Sequence, residues 1–273
     1  KQGCFPNMTI GSFCRSLWVQ RHFVPAAIAG EFKSRVARSK IGTLWFVLHP
    51  LAMALVYVLV LSEVLQAKIP GVSEVGSYAV YLLSGMIAWA LFVEIVNRCL
   101  TVFVEYAAVL KKMNFPKIYL PIVVLGGALV NNLLLAAAIF GIIAFYGFYP
   151  NPAWVALLFG TGVVVILGCG IGLTAGILNI FARDVGQVMI VVVNLWFWLT
   201  PIVYVRGALN ETVDRFLALN PMTNVVEFYQ QVILYGQVPD YALLDYPMQF
   251  GCVAIAVAVF LLWRASSEMV DVL

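Results

Sequence analysis

The sequence predicts an all-α, polytopic membrane protein. It should hold six transmembrane helices, an amphipathic N-terminal interfacial helix and short outer helices of re-entrant or gate type. Three observations carry this prediction. The 273-residue chain is 63% hydrophobic and only 11% charged, with mean hydropathy +0.97, whereas a soluble domain is about half apolar and about a quarter charged. Its uncharged windows have the length of a bilayer span, about 20 residues. Its basic residues alternate in register with those windows, so that most of them fall on one side.

The windows run in order. Ile41 to Ser62 is the first and Val75 to Val93 the second. Ile118 to Ala182 is long enough for two spans, with "GFYPNP" at 147 to 152 as the turn between them, since Gly, Pro and Asn clusters punctuate regular structure. Val185 to Val205 is the fifth and Tyr246 to Trp263 the sixth. With the N-terminus inside, 13 of the 16 Lys and Arg fall on the inner side, leaving Lys68, Arg206 and Arg215 outside. That asymmetry sets both termini in the cytoplasm. The expected organisation is an N-terminal segment at 1–40, a six-helix domain at 41–264 and a tail at 265–273.

Three pieces do not span. Residues 12 to 40 mix Phe13, Leu17, Trp18, Phe23 and Phe32 with basic residues, as a helix lying in the interface does; the same charges also serve as topology signals. "EYAAVLKKMNFPK" at 105 to 117 reads as a short helix, a break and then the third span opened by Pro116, whose missing N–H costs nothing in a first turn. In the outer loop at 206–245, "MTNVVEFYQQVILYG" is too polar to span and too apolar for a solvated loop. Pro221 and Gly236 bracket it as start and stop signals.

Several chemistries are missing from the sequence. No G-x-x-x-x-G-K-[ST] stretch exists, so no P-loop of this chain binds ATP. No metal spacing joins the five cysteines, which read as buried thiols. His49, before Pro50 in the first span, reads as structural. Glu94 and Arg98 stand four apart on one helix and can pair, and the two halves of the chain do not resemble each other, unlike the repeats of many ion-coupled carriers. The energy source therefore lies outside the chain. A membrane glycosyltransferase is disfavoured because no acidic cluster is present to hold a hard cation.

Five stretches in order resemble the permeases of bacterial polysaccharide and polyol-phosphate ABC exporters. They are "SKIGTLWFVLHPLAMALVY" (39 to 57), "LKKMNFPKIYLP" (110 to 121), "LNIFARDVGQV" (178 to 188), "FWLTPIVY" (197 to 204) and "NPMTNVVEFYQ" (220 to 230). One departure is Ala182, where that family often has an aromatic. The resemblance covers residue 31 to the C-terminus. It implies a homodimer of six-span permeases in the bacterial cytoplasmic (inner) membrane, exporting a lipid-linked glycan of O-antigen, capsule or teichoic acid type. Two copies of a separate ATP-binding subunit would supply hydrolysis and bind ATP and Mg. This chain would need no cofactor, contact lipids rather than nucleic acid, and be no enzyme itself. A permease of the related drug- or lipid-exporting branch is the alternative.

Four residue sets follow as candidates. Lys111, Lys112, Asn114, Phe115 and Pro116 would couple to the ATPase, as the resemblance implies for the element between spans two and three. Arg183 and Asp184 mark the turn between spans four and five. They read either as a capping and topology device, with Asp at the start of span five, or as a contact to the ATPase or to substrate phosphate, which the planar Arg fork suits. Tyr57, Trp196, Trp198 and Tyr204 could line a sugar path, although Trp196 and Trp198 point about 200° apart on a helix. Arg15, Arg21, Lys33 and Arg35 could attract the phosphates of a lipid-linked glycan.

Overall fold

Every regular element among the described residues is a helix, and no strand accompanies them. The computed structural model describes residues 25, 28–30, 45–58, 76–107, 119–206, 210–237, 239–265 and 269. The helices are α1 (Trp45–Val58), α2 (Ser77–Glu105), α3 (Tyr119–Phe145), α4 (Leu157–Phe181), α5 (Asp184–Trp198), α6 (Glu211–Ala218), α7 (Pro221–Leu234) and α8 (Asp245–Ala265). A 3-10 turn precedes α4 at Pro152–Ala156 and another precedes α8 at Tyr241–Leu244.

Among the described residues, four segments are long and apolar enough to cross a membrane: Ser77–Glu105, Leu120–Phe145, Pro152–Phe181 and Tyr241–Ala265. The shorter α5 covers about 22 Å at 1.5 Å per residue. The N-terminal segment apart from residues 25 and 28–30, all but three residues of the 105–117 element, and the tail beyond Ala265 apart from Met269 lie outside the described residues. So do the first and last residues of the window at 41 to 62, of which α1 carries the centre.

The second span is longer than its uncharged window. α2 continues past Val93 to Glu105 and carries Glu94 and Arg98 within its body. The turn at 147 to 152 forms as the sequence implies: Gly147 takes φ +89°, a left-handed value that favours glycine. Asp184 opens α5 in its first turn, where a carboxylate meets the positive end of the helix dipole. Cys99 and Cys169 are buried, whereas Cys252 is exposed on α8.

α2 is the axis of the packing. It runs alongside α4, and three glycines of α4, each four residues from the next, face it. A Cβ on Gly172 would lie 2.8 Å from Cys99 Cβ and 2.9 Å from Val96 Cα. A Cβ on Gly176 would run into the Cys99 carbonyl, and one on Gly168 would lie 3.1 Å from Ile95 Cγ2. The opposite side of α4 meets α8 in the same way, since a Cβ on Gly170 would lie 2.8 Å from the Ile255 nitrogen and 2.9 Å from the Gly251 oxygen. Lipid tails are as apolar as the side chains, so helices in a bilayer associate through close van der Waals packing at small residues.

At the other end of α2, α7 inserts between α2 and α4. Val225, Val226, Phe228, Tyr229, Val232 and Ile233 are buried there, so α7 is enclosed by protein. Its start is capped by Asn220, with Pro221 in its first turn. Gly236 follows with φ +61°.

The glycine stripe predicts a contrast between two substitutions. Gly172→Ala should destabilise the purified protein by about 1–3 kcal/mol through overpacking. Gly162→Ala, where nothing lies within 4 Å of the added Cβ, should be neutral or stabilising. Apparent melting temperatures in one detergent compare the two.

Candidate functional site

Two sides of α2 carry different chemistry. Phe92, Val96 and Cys99 pack toward α4, while Met86, Ala90, Glu94 and Arg98 form an i, i+4 stripe about 200° away from Phe92 and Val96. That stripe faces an open groove of about 720 Å³, walled by α1, α2, α3 and α5. The groove combines aromatic rings with amides and one charged pair. Trp45, Trp89, Phe197 and Trp198 contribute rings, and Asn97, Asn131, Asn132 and Asn194 contribute carboxamides. Trp45 and Trp198 are more than half exposed.

Glu94 and Arg98 pair at 3.4 Å, as their spacing implies. The pair does not stand alone. Asn131 of α3 donates its Nδ2 to Glu94 Oε1, and the Arg98 guanidinium lies over Gly127 of α3, where a Cβ would sit 2.9 Å from Nη2. Asn132 donates to the Ile87 carbonyl at 2.9 Å. α2 and α3 are thus clasped by polar bonds along the groove. Ionisable groups at membrane depth are costly and mark functional sites by default; here the cost is offset by opposite charge and hydrogen bonding.

The candidate path residues separate. Trp198 lines the groove. Trp196 does not: its Nε1 donates to Asn220 Oδ1 at 2.7 Å and its ring meets Phe92 edge-on at 5.2 Å. The opposed directions of the two tryptophans are those the helix geometry requires. Tyr204 donates its hydroxyl to the Trp198 carbonyl at 3.2 Å and holds the chain after α5. Tyr57 is on α1, and its side chain lies outside the described residues. The coupling set, Lys111, Lys112, Asn114, Phe115 and Pro116, lies outside them too, as do Arg15, Arg21, Lys33 and Arg35. His49 lines the groove and is exposed, so it is not a packed core histidine.

Arg183 and Asp184 sit at the expected turn, both exposed, but no ion pair joins them. Adjacent side chains on a helix start diverge by about 100°, and exposed charges gain little from pairing. The turn is held instead by Asn179, a residue the sequence reading missed. Its Oδ1 accepts from the Gly186 N–H at 3.1 Å and its Nδ2 donates to the Leu100 carbonyl at 3.2 Å.

At the opposite end, Tyr78 donates to the Val203 carbonyl at 2.6 Å, and Gln230 of α7 to the Pro201 carbonyl at 3.2 Å. Arg206 bridges Asp214 and Glu227. The hydrogen bond to Asp214, helped by the charge of Glu227, raises the Arg206 pKa above its usual value.

Residues 24–234 match the family described as ABC-2 type transporter. The chain belongs to that family. Among the relatives of this ABC-2 permease, an O-antigen export system permease protein RfbA from Myxococcus xanthus is 29% identical over 257 residues, 93% of each chain. A second RfbA, from Klebsiella pneumoniae, is 26% identical over 238 residues, 84% of this chain and 87% of the relative. The polysialic acid transport protein KpsM of Escherichia coli is 22% identical over 254 residues, 92% of this chain and 95% of the relative. The ABC-2 chain is accordingly a transport subunit and not a catalytic one.

Asn220 predicts a hierarchy of stability effects. Its Oδ1 accepts from Met222 N and Trp196 Nε1, and its Nδ2 reaches the Leu199 carbonyl and Thr200 Oγ1. Asn220→Ala removes the cap and all these bonds and should cost about 2–4 kcal/mol. Trp196→Phe removes one bond and should cost about 1 kcal/mol. Thermal unfolding of the permease measures both.

Proposed function

We propose that this chain is the membrane permease of an ATP-driven exporter that moves a lipid-linked polysaccharide across the bacterial cytoplasmic membrane. The observation that carries the reading is the groove, an aromatic and carboxamide-lined channel wall at the depth where a purely hydrophobic surface is the default. The relatives' names, O-antigen export and polysialic acid transport, support the same substrate class.

In this reading the chain crosses six times, with α1 and α5 supplying the two shorter spans. The ends at 105–119, 181–184 and 265 face the cytoplasm, and both termini lie there. Two copies of the permease meet along the groove side, with two copies of an ATP-binding subunit below. ATP and Mg are bound by that partner, consistent with the missing P-loop. Arg15, Arg21, Lys33 and Arg35 attract the lipid-linked phosphates, and Arg183 and Asp184 remain available at the cytoplasmic surface. The loop at 206–245, with α6 and α7, forms the outer gate.

The mechanism follows from where the elements attach. Residues 105–117, with Lys111, Lys112, Asn114, Phe115 and Pro116, join the end of α2 to the start of α3. ATP-driven closure of the partner subunits displaces that element as a rigid body. α2 and α3 move together because Glu94, Asn131 and Asn132 tie them. Both helices line the groove, so the motion arrives at the polymer. Flat rings stack on sugar C–H faces without setting register, and binding that is weak at many sites lets a chain enter and leave.

Mild-detergent purification of the tagged chain from its host, with mass spectrometry of what remains bound, tests the reading. An ATP-binding subunit in equal amount, with glycolipid, is the expected result. A chain that emerges without any ATPase after cross-linking would remove the basis for the coupling element.

A further inference from the structure

We infer that the Glu94–Asn131 face of the groove is a saccharide station, a fixed point at which a neutral sugar unit of the polymer is gripped by hydrogen bonds. The inference rests on the glycan-export reading and adds where, and by what chemistry, the polymer is held.

Asn131 supplies the first reason. It is 3% exposed, and its Nδ2 is committed to Glu94. Its Oδ1 is buried and has no hydrogen-bond partner. An unpaired buried acceptor costs about 1–3 kcal/mol; this oxygen is closed off while Nδ2 holds Glu94, and a turn of the carboxamide toward the groove that Asn131 lines presents it to a donor arriving from outside the protein. A sugar hydroxyl is such a donor.

Charge supplies the second. Glu94 and Arg98 neutralise each other, and the rest of the polar lining is carboxamide apart from His49 on α1. Each amide offers both donors and an acceptor, which matches a hydroxyl that donates and accepts. An ionised phosphate or carboxylate at the same place has no proton to donate to Asn131 Oδ1, and the Arg98 charge it would seek is already paired with Glu94. The face therefore selects neutral hydroxylated groups over anions.

Shape and rigidity complete the case. Trp89 lines the groove from the same helix as Glu94 and is fixed against Phe92 and Phe197, with ring centroids 5.5 and 5.7 Å away. Across the groove, Trp198 is 57% exposed and offers its ring. A volume of about 720 Å³ is in the range of small-molecule sites, roughly 300–1,000 Å³, and accommodates a short run of sugar units. Groups mounted on packed helices hold their geometry better than groups on loops. A site built to hydrogen-bond hydroxyls also rejects analogues that lack them, so the station gives the exporter a preference among glycans.

The test uses the complete transporter, permease with its ATP-binding partner, in lipid nanodiscs. Saturation-transfer NMR is recorded with glucose, galactose, mannose, rhamnose and N-acetylglucosamine, and with glycerol 3-phosphate as the anion. At least one neutral sugar should receive saturation, and glycerol 3-phosphate should not. Asn131→Leu should weaken sugar binding by about fivefold, the loss expected of one neutral hydrogen bond. Should that variant fail to fold, Asn194→Leu removes a groove amide that makes no bond to another helix and should weaken binding similarly. Leu133→Ala, on the exposed face of α3, should leave it unchanged. Binding of glycerol 3-phosphate in preference to sugars, or of no probe at all, would overturn the station. Surface polymer measured in cells separates the two levels: wild-type export without sugar saturation sinks the station alone, and absence of export sinks the glycan reading beneath it.

Discussion

The backbones of α2 and α4 touch, and most of the remaining architecture depends on that contact. Gly168, Gly172 and Gly176 leave α4 without side chains where Ile95, Val96, Cys99 and Leu100 of α2 approach. Water is not available in the bilayer core to drive helices together, so the close approach must come from packing and from hydrogen bonds. On its far side α4 receives α8 through Gly170 and Gly251. With one side of α2 consumed by α4 and α7, its other side is free to carry charge.

That second side explains why a chain poor in charge keeps Glu94 and Arg98 in the body of a helix. The two are neutralised by each other and tied to α3 through Asn131, with Gly127 making room for the guanidinium. The same bonds make α2 and α3 a unit, and the 105–117 element joins their ends. The scaffold contact, the polar clasp and the groove wall are therefore successive properties of one helix.

Much of this could be read from the residues, and some could not. The uncharged windows located the long helices, "GFYPNP" located a turn, and Pro221 with Gly236 bracketed α7. The window rule stopped α2 at Val93 because a charge follows, yet a charge paired on the groove side does not end a helix whose other side is packed against α4. Trp196 reads as a sugar-facing aromatic until Asn220 is seen to hold its indole, a contact 24 residues away that no local pattern encodes. Asn131 and Asn132, two carboxamides amid 65 uncharged residues, were a visible signal that went unused. Their meaning depends on α2 lying beside them. The groove as a whole draws on four helices, and convergence of that kind is a property of packing.

A structure of the complete exporter, stalled by an ATPase-inactive partner and loaded with its own lipid-linked polymer, tests the groove as the polymer path. Polymer density is expected in the groove, against Trp89, Trp198 and the Glu94–Asn131 face. Density along the exposed face of α8, with the groove filled by lipid, would contradict it.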